Sequence, residues 1–188
     1  MLQMNRNDYT YTPLFCEENI WKLIESLYTN KLAKPIDVLF ILNDSNTIAL
    51  YNQKLSYKDQ PVIWDYHVIL VAKNDIDTWV FDFDSRCKFP IEINDYFSLS
   101  FPCQLSLPEN FQPLIKSIPA EKYFKLFYSD RHHMLGVIKN CNFPNYEIIK
   151  PKNIKDALAL EDCRISNTTK NPTKLILPSQ YLRLNNFI

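Results

Sequence analysis

One glycine, Gly136, serves all 188 residues of the chain, and this scarcity constrains the fold more than any other feature. Walker-type phosphate loops and Gly-rich dinucleotide turns need several glycines, because their backbone must adopt positive φ and pass close to phosphate. Neither can be built here. Turns must fall to Asn, Asp and the 12 prolines, which suit turn positions for their own conformational reasons.

Composition closes further classes. Hydrophobic residues make up 46% of the chain, enough for one domain of this length to bury a core without staples. The 21 Lys and Arg balance the 21 Asp and Glu, so nothing marks a nucleic-acid surface or an acidic tail. The 5 cysteines (Cys16, Cys87, Cys103, Cys141 and Cys163) are odd in number and widely spaced, without a C-x-x-C pair. That pattern argues for free thiols in a reducing compartment and against a disulfide framework or a zinc ribbon. The N-terminal "MLQMNRNDYT" lacks the apolar core of a signal peptide, and no apolar run approaches membrane-spanning length. A soluble chain is expected. No repeat or linker divides it, so residues 1–188 read as a single domain.

In "TPLFCEENIWKLIESLYTN", Cys16, Ile20, Leu23, Ile24 and Leu27 form the stripe of an amphipathic helix. Thr12, Pro13, Glu17 and Glu18 are residue types of a helix start, so Cys16 falls in or just before the first turn, and the helix should end near Asn30. Strand-like runs follow at residues 36–42, 47–51, 61–72 and 79–84, which reads as an antiparallel meander. A second helix is expected from Ala120 to Tyr128, and a short helix or turn in "NIKDALALED"; the rest reads as irregular.

Strand alternation places Asp65 and His67 of "PVIWDYHVIL" on one face and Trp64 and Tyr66 on the other, packed as core. In "WVFDFD", Val80, Asp82 and Asp84 share a face. A hairpin with Asn74 and Asp75 at its centre sets His67 opposite Asp82, whereas pairing His67 with Asp84 would put β-branched Ile76 in the turn. An Asp beside a His fixes the imidazole tautomer and stabilises the imidazolium. Cys16, at a helix start, supplies a nucleophile that such a pair could activate, although Glu17 and Glu18 oppose thiolate formation. Spacing alone leaves the bland readings open: a small core cysteine and a structural His-Asp pair.

The blocks "CEENIWKL", "PVIWDYHV", "FDFD" and "SDRHHM" stand in order along the chain and resemble the protein N-terminal glutamine amidohydrolase family, in which a W-D-Y-H-V block is characteristic. The resemblance implies an α+β, papain-like or transglutaminase-like core with an N-terminal helix packed on an antiparallel sheet. It implies Cys16 as nucleophile, His67 as base and Asp82, the first acid of the D-x-D pair, as the residue that orients the base. The implied activity is deamidation of an N-terminal glutamine to glutamate through a thioester, without a cofactor, by a monomer in the cytoplasm or nucleus. In eukaryotes that product feeds arginylation-dependent degradation. The implied partners are proteins or peptides with an exposed N-terminal Gln, and neither nucleic acid nor membrane. Departures from the family pattern fall in loops, such as "SYKDQPVIW", where glycines are expected.

Selecting a chain terminus requires an acid for the free α-ammonium. Asp65, on the face assigned to His67, is the first candidate, followed by Glu17, Glu18 and Asp130. His132, His133 and Cys141 do not make a metal site, because adjacent histidines point apart. "SDRHHM" is expected to fix a loop through Asp130 and Arg131. The rival functions are deamidation of internal glutamines, thiol proteolysis on the same fold, or a non-catalytic module that binds N-terminal residues.

Overall fold

The computed structural model describes residues 4–102, 104–135, 143–165 and 174–188. Cys103, Gly136 and Cys141 lie outside them.

The first helix, α1 (Cys16–Asn30), has the bounds that periodicity predicts. Ile20, Leu23, Ile24 and Leu27 are each 1% exposed or less. Burial of such a side chain is worth about 1.5–3 kcal/mol, so docking on the sheet, rather than capping, holds this helix. Its N-cap, Phe15, offers no side-chain acceptor. Buried Asn19 compensates by exchanging two 2.8 Å hydrogen bonds with the backbone of Thr12, which pins the loop leading into the helix.

Strands β1 (Lys34–Leu42), β2 (Ile48–Leu50), β3 (Val62–Trp64), β4 (His67–Lys73) and β5 (Thr78–Phe81) follow. They do not form a simple meander. β2 and β3 pair with each other in a separate two-stranded sheet, while β4 returns to pair with β1. The run from 61 to 72, expected as one strand, therefore breaks at Asp65 and Tyr66 and serves two sheets. Two further strands, β6 (Ile91–Glu92) and β7 (Leu114–Pro119), complete a five-stranded antiparallel sheet of order β6-β5-β4-β1-β7.

Four more α-helices are described: α2 (Ile93–Ser100), α3 (Ala120–Leu126), α4 (Leu160–Arg164) and α5 (Pro178–Leu184). The expected helix at 120–128 stops at Leu126, and Phe127 and Tyr128 pair in parallel with Leu158 and Ala159. β7, α2 and α5 lie in stretches that read as irregular.

The central sheet is covered on both faces. Val38, Phe40, Leu42, Val68, Leu70 and Ala72 meet α1 and α3, while Leu39, Ile41, Ile69, Val71 and Val80 meet α2 and α5. Alternate side chains of β1 and β4 thus feed two cores, which is why both strands read as continuous apolar runs. The fold is α+β, with the N-terminal helix on an antiparallel sheet, as expected. Among the described residues, no helix is long and apolar enough to cross a membrane.

Candidate active site

His67 begins β4, and its Nε2 lies 2.8 Å from Asp82 Oδ1. The contact was expected, but the register behind that expectation is wrong. Lys73 pairs with Thr78 and Leu70 with Phe81, so the ladder, if continued, would set His67 opposite Asp84. The turn avoids the positive φ that seemed to forbid this register. Asn74 Oδ1 accepts from the backbone N–H groups of Ile76 and Asp77, and Asn74 N–H donates to Asp77 O, which makes a longer loop. β5 ends at Phe81, and Asp82, freed from the ladder, swings to His67.

The Asp82 carboxylate is buried and fully used. Oδ1 also accepts from the Asp84 N–H at 2.9 Å, and Oδ2 accepts from Tyr96 OH at 2.8 Å and Gln53 Nε2 at 3.2 Å. Burial alone would raise its pKa, but the His67 charge and these hydrogen bonds more than offset that and hold it down to about 2. For His67 the balance runs the other way: burial lowers its pKa, and the Asp82 charge and hydrogen bond, helped by Asp84 and Glu17, leave it raised above 6.5. With the Nε2–H donated to Asp82, Nδ1 carries the lone pair. It is buried without a hydrogen-bond partner among the described residues.

Cys16 and His67 line one cavity of about 460 Å³, together with Trp64, Asp65, Tyr66, Asp84, His133 and Arg164. Burial pushes the Cys16 thiol well above its ordinary pKa, and Glu17 and Asp84 add to this, while a hydrogen bond to the Val68 backbone offsets part of it. Cys16 therefore rests as a thiol. The helix start does not by itself make it a thiolate, and forming one would require a base.

The remaining expectations divide. Asp65 lies on the cavity wall but does not share a strand face with His67, because the chain bends between them; it is exposed and paired with Arg164 at 3.3 Å. Trp64, expected in the core on the opposite face, instead stacks on the His67 ring, with centroids 5.3 Å apart and planes 21° off parallel. Tyr66 is core, as expected, and its OH donates to Glu17 Oε2 at 3.1 Å. Glu18 is fully buried and committed to Arg131, which donates from Nε at 2.9 Å and Nη2 at 2.8 Å, and to Ser129 OH at 2.7 Å. Asp130 is exposed and bonds His132.

Two residues weighed in other roles, His133 as a metal ligand and Asp84 as a partner of His67, were not expected on the cavity wall, where both lie. His133 approaches Glu17 Oε1 at 3.5 Å; burial lowers its pKa, and Glu17 raises it to a net upward shift. Its adjacency to His132 obscured this, since the two rings do point apart, one to solvent and one to the cavity. Asp84 is buried and accepts a 2.6 Å hydrogen bond from Tyr11 OH. Its place in a D-x-D pair was the available signal.

Single ligand atoms of His67, Asp82 and Asp84 lie within 4.8 Å of one another, a separation compatible with metal binding. Asp82 argues against that use, because both its oxygens already accept two hydrogen bonds each.

A family model described as N-terminal glutamine amidase matches residues 11–177. The chain belongs to this family. Relatives of the N-terminal glutamine amidase family include the protein N-terminal glutamine amidohydrolase of Danio rerio, 36% identical over 73% of this chain and 70% of that protein. Proteins of the same name from Arabidopsis thaliana and Drosophila melanogaster are 33% and 35% identical over 71% and 68% of this chain. The chain spans 64% of each of the latter two, less than two thirds of their length.

Proposed function

We propose that the chain is a cysteine-dependent amidohydrolase that converts an N-terminal glutamine of proteins or peptides to glutamate, with release of ammonia. The observation that carries this reading is the buried His67, tied to Asp82 through Nε2, with its unpartnered Nδ1 and the Cys16 thiol bordering the same cavity. Family membership and the names of the relatives support the substrate. A nucleophile on a helix start, followed by a His on one strand and an Asp just past the end of the next, also supports reading the core as papain-like or transglutaminase-like.

His67 Nδ1 takes the Cys16 proton as sulfur attacks the side-chain carboxamide. Asp82 holds the ring and stabilises the imidazolium, which helps explain how a thiol with a raised pKa can be activated at neutral pH. The oxyanion is met by the Cys16 backbone N–H, one of the unpaired amides of a helix start. Imidazolium then protonates the nitrogen, the C–N bond breaks, and ammonia leaves a glutamyl thioester. Water, deprotonated by His67, attacks the thioester carbonyl; the C–S bond breaks and Cys16 regains its proton. Such general acid-base help is worth about 10²- to 10⁴-fold.

Matched peptides beginning with Gln, Asn or acetyl-Gln, or carrying Gln internally, test the proposal through ammonia release and product mass. Turnover confined to the N-terminal Gln peptide, and lost in Cys16→Ala, is expected. Turnover of internal Gln alone, or full activity in Cys16→Ala, would overturn it.

A further inference from the structure

An enzyme specific for a chain terminus must hold the α-ammonium, and most acids near the cavity are already engaged. Glu18 is bonded to Arg131, Asp82 to His67 and Asp65 to Arg164. Glu17 is fully buried behind the cavity wall, within 3.5 Å of His133. Asp130 pairs with His132 away from the cavity. Asp84 differs: it lines the cavity, the residue is 8% exposed, and among the described residues no ion pair to it is formed. The nearby Lys54 ammonium lies over the Tyr11 ring, 5.6 Å from its centroid.

We propose that Asp84, positioned by Tyr11, is the subsite for the substrate's α-ammonium, so that the second acid of "DFD" selects the chain terminus while the first orients the base. This rests on the function proposed above and deepens it.

The geometry suits that division. The Asp84 N–H donates to Asp82 Oδ1 at 2.9 Å, and Tyr11 OH to Asp84 Oδ1 at 2.6 Å, which fixes the carboxylate relative to the catalytic pair. The segment is clamped from outside, where Lys54 N–H donates to Asp84 O and Arg6 to Asp82 O. Ligand atoms of Asp84 and His67 lie within 4.8 Å. With bonds near 1.5 Å, the α-nitrogen of glutamine lies roughly 5 Å from its side-chain carbonyl carbon, so a substrate held at Asp84 can bring its carboxamide beside His67 in the cavity that Cys16 also lines. An acetylated terminus would bring neither the charge nor the same donors. A docked ammonium also cancels a charge that opposes thiolate formation at Cys16, which couples recognition to activation.

The test compares a Gln-initiated peptide with its desamino analogue, in which hydrogen replaces the α-amino group. In the Cys16→Ala chain, calorimetry should show tighter binding of the ammonium-bearing peptide, about 10- to 100-fold as expected for a charge-assisted hydrogen bond. Adding Asp84→Asn should erase that preference, and in the Cys16 background it should lower kcat/KM for the Gln peptide by a similar factor, chiefly through KM. Tyr11→Phe should weaken the preference in the same direction and serves should Asp84→Asn fail to fold. A preference that survives in folded Asp84→Asn or, failing that, stands undiminished in Tyr11→Phe, or a Cys16→Ala chain that binds both peptides equally, would overturn the assignment. Absence of ammonia release by the wild type is a separate outcome, which would remove the proposed activity itself.

Discussion

His67 Nε2 meets Asp82 Oδ1 at 2.8 Å although the two residues are not ladder partners. His67 pairs with Ile41 of β1, and Asp82 lies just past Phe81, the last residue of β5. A carboxylate released from the sheet can also collect Tyr96, Gln53 and the Asp84 N–H. This gives it a rigidity that a cross-strand pair alone would lack.

Replacing that carboxylate should separate orientation from binding. Asp82→Asn is expected to lower kcat about 10³- to 10⁴-fold, the scale seen when an orienting aspartate of a catalytic triad is lost, with little change in KM. The proposed mechanism requires a neutral His67 as base, and its pKa is raised, so activity in the wild type should rise with pH through a value above 6.5. In Asp82→Asn, burial acts on His67 without its strongest counterweight, and the acid limb should move to lower pH. Ammonia release measured across pH checks both, and an unmoved limb would sever the link.

The same pair should govern acid stability. The Asp82 pKa is held down from 3.8 to about 2 on folding, which corresponds to about 2–3 kcal/mol. Because this pKa is depressed, the contribution is complete above about pH 4 and is lost as pH falls toward 2. The raised His67 pKa reports the same interaction from the other side and is lost as pH rises through its folded value. Urea midpoints should therefore drop between pH 5 and pH 2 more steeply in the wild type than in Asp82→Asn.

Cys16 should react slowly with iodoacetamide at neutral pH in the absence of substrate, since burial, Glu17 and Asp84 keep it a thiol. Glu17→Gln removes one upward influence, so the thiolate fraction and the alkylation rate at a given pH should rise. Mass spectrometry of the Cys16 peptide gives the rate directly. A slower reaction in Glu17→Gln would show that the Glu17 charge does not act on Cys16.

Glu18 and Arg131 form a buried pair whose members need each other. Arg131→Met should destabilise the fold by about 3–5 kcal/mol, because it strands a carboxylate in the interior. Arg131→Met combined with Glu18→Met should recover much of that loss, as read from chemical denaturation.

Legibility followed the reach of the signals. Both ends of α1 were legible because its stripe is uninterrupted, and the end of β1 because every position from 38 to 42 is buried, although the strand begins at Lys34, ahead of the expected 36. β7 was invisible because "LIKSIP" carries a lysine at its centre. Lys116 is nevertheless fully buried, its ammonium donating to Asp162 O at 2.8 Å and to Ile165 O at the end of α4. A cation satisfied by carbonyls from a distant segment leaves no local trace.

The sequence by itself determined the candidate nucleophile and the two polar side chains offered to it, since a helix stripe and strand-like runs are local patterns. It could not decide which acids are free. Asp65 seemed aligned with His67 only while residues 61–72 were one strand, and the break at Asp65 sent it to Arg164. Asp84 and His133 reached the cavity because the chain turns at 83–84 and Arg131 is tied to Glu18. Those outcomes depend on contacts between residues far apart in the chain, where the competition of charges for partners is settled by packing rather than by spacing.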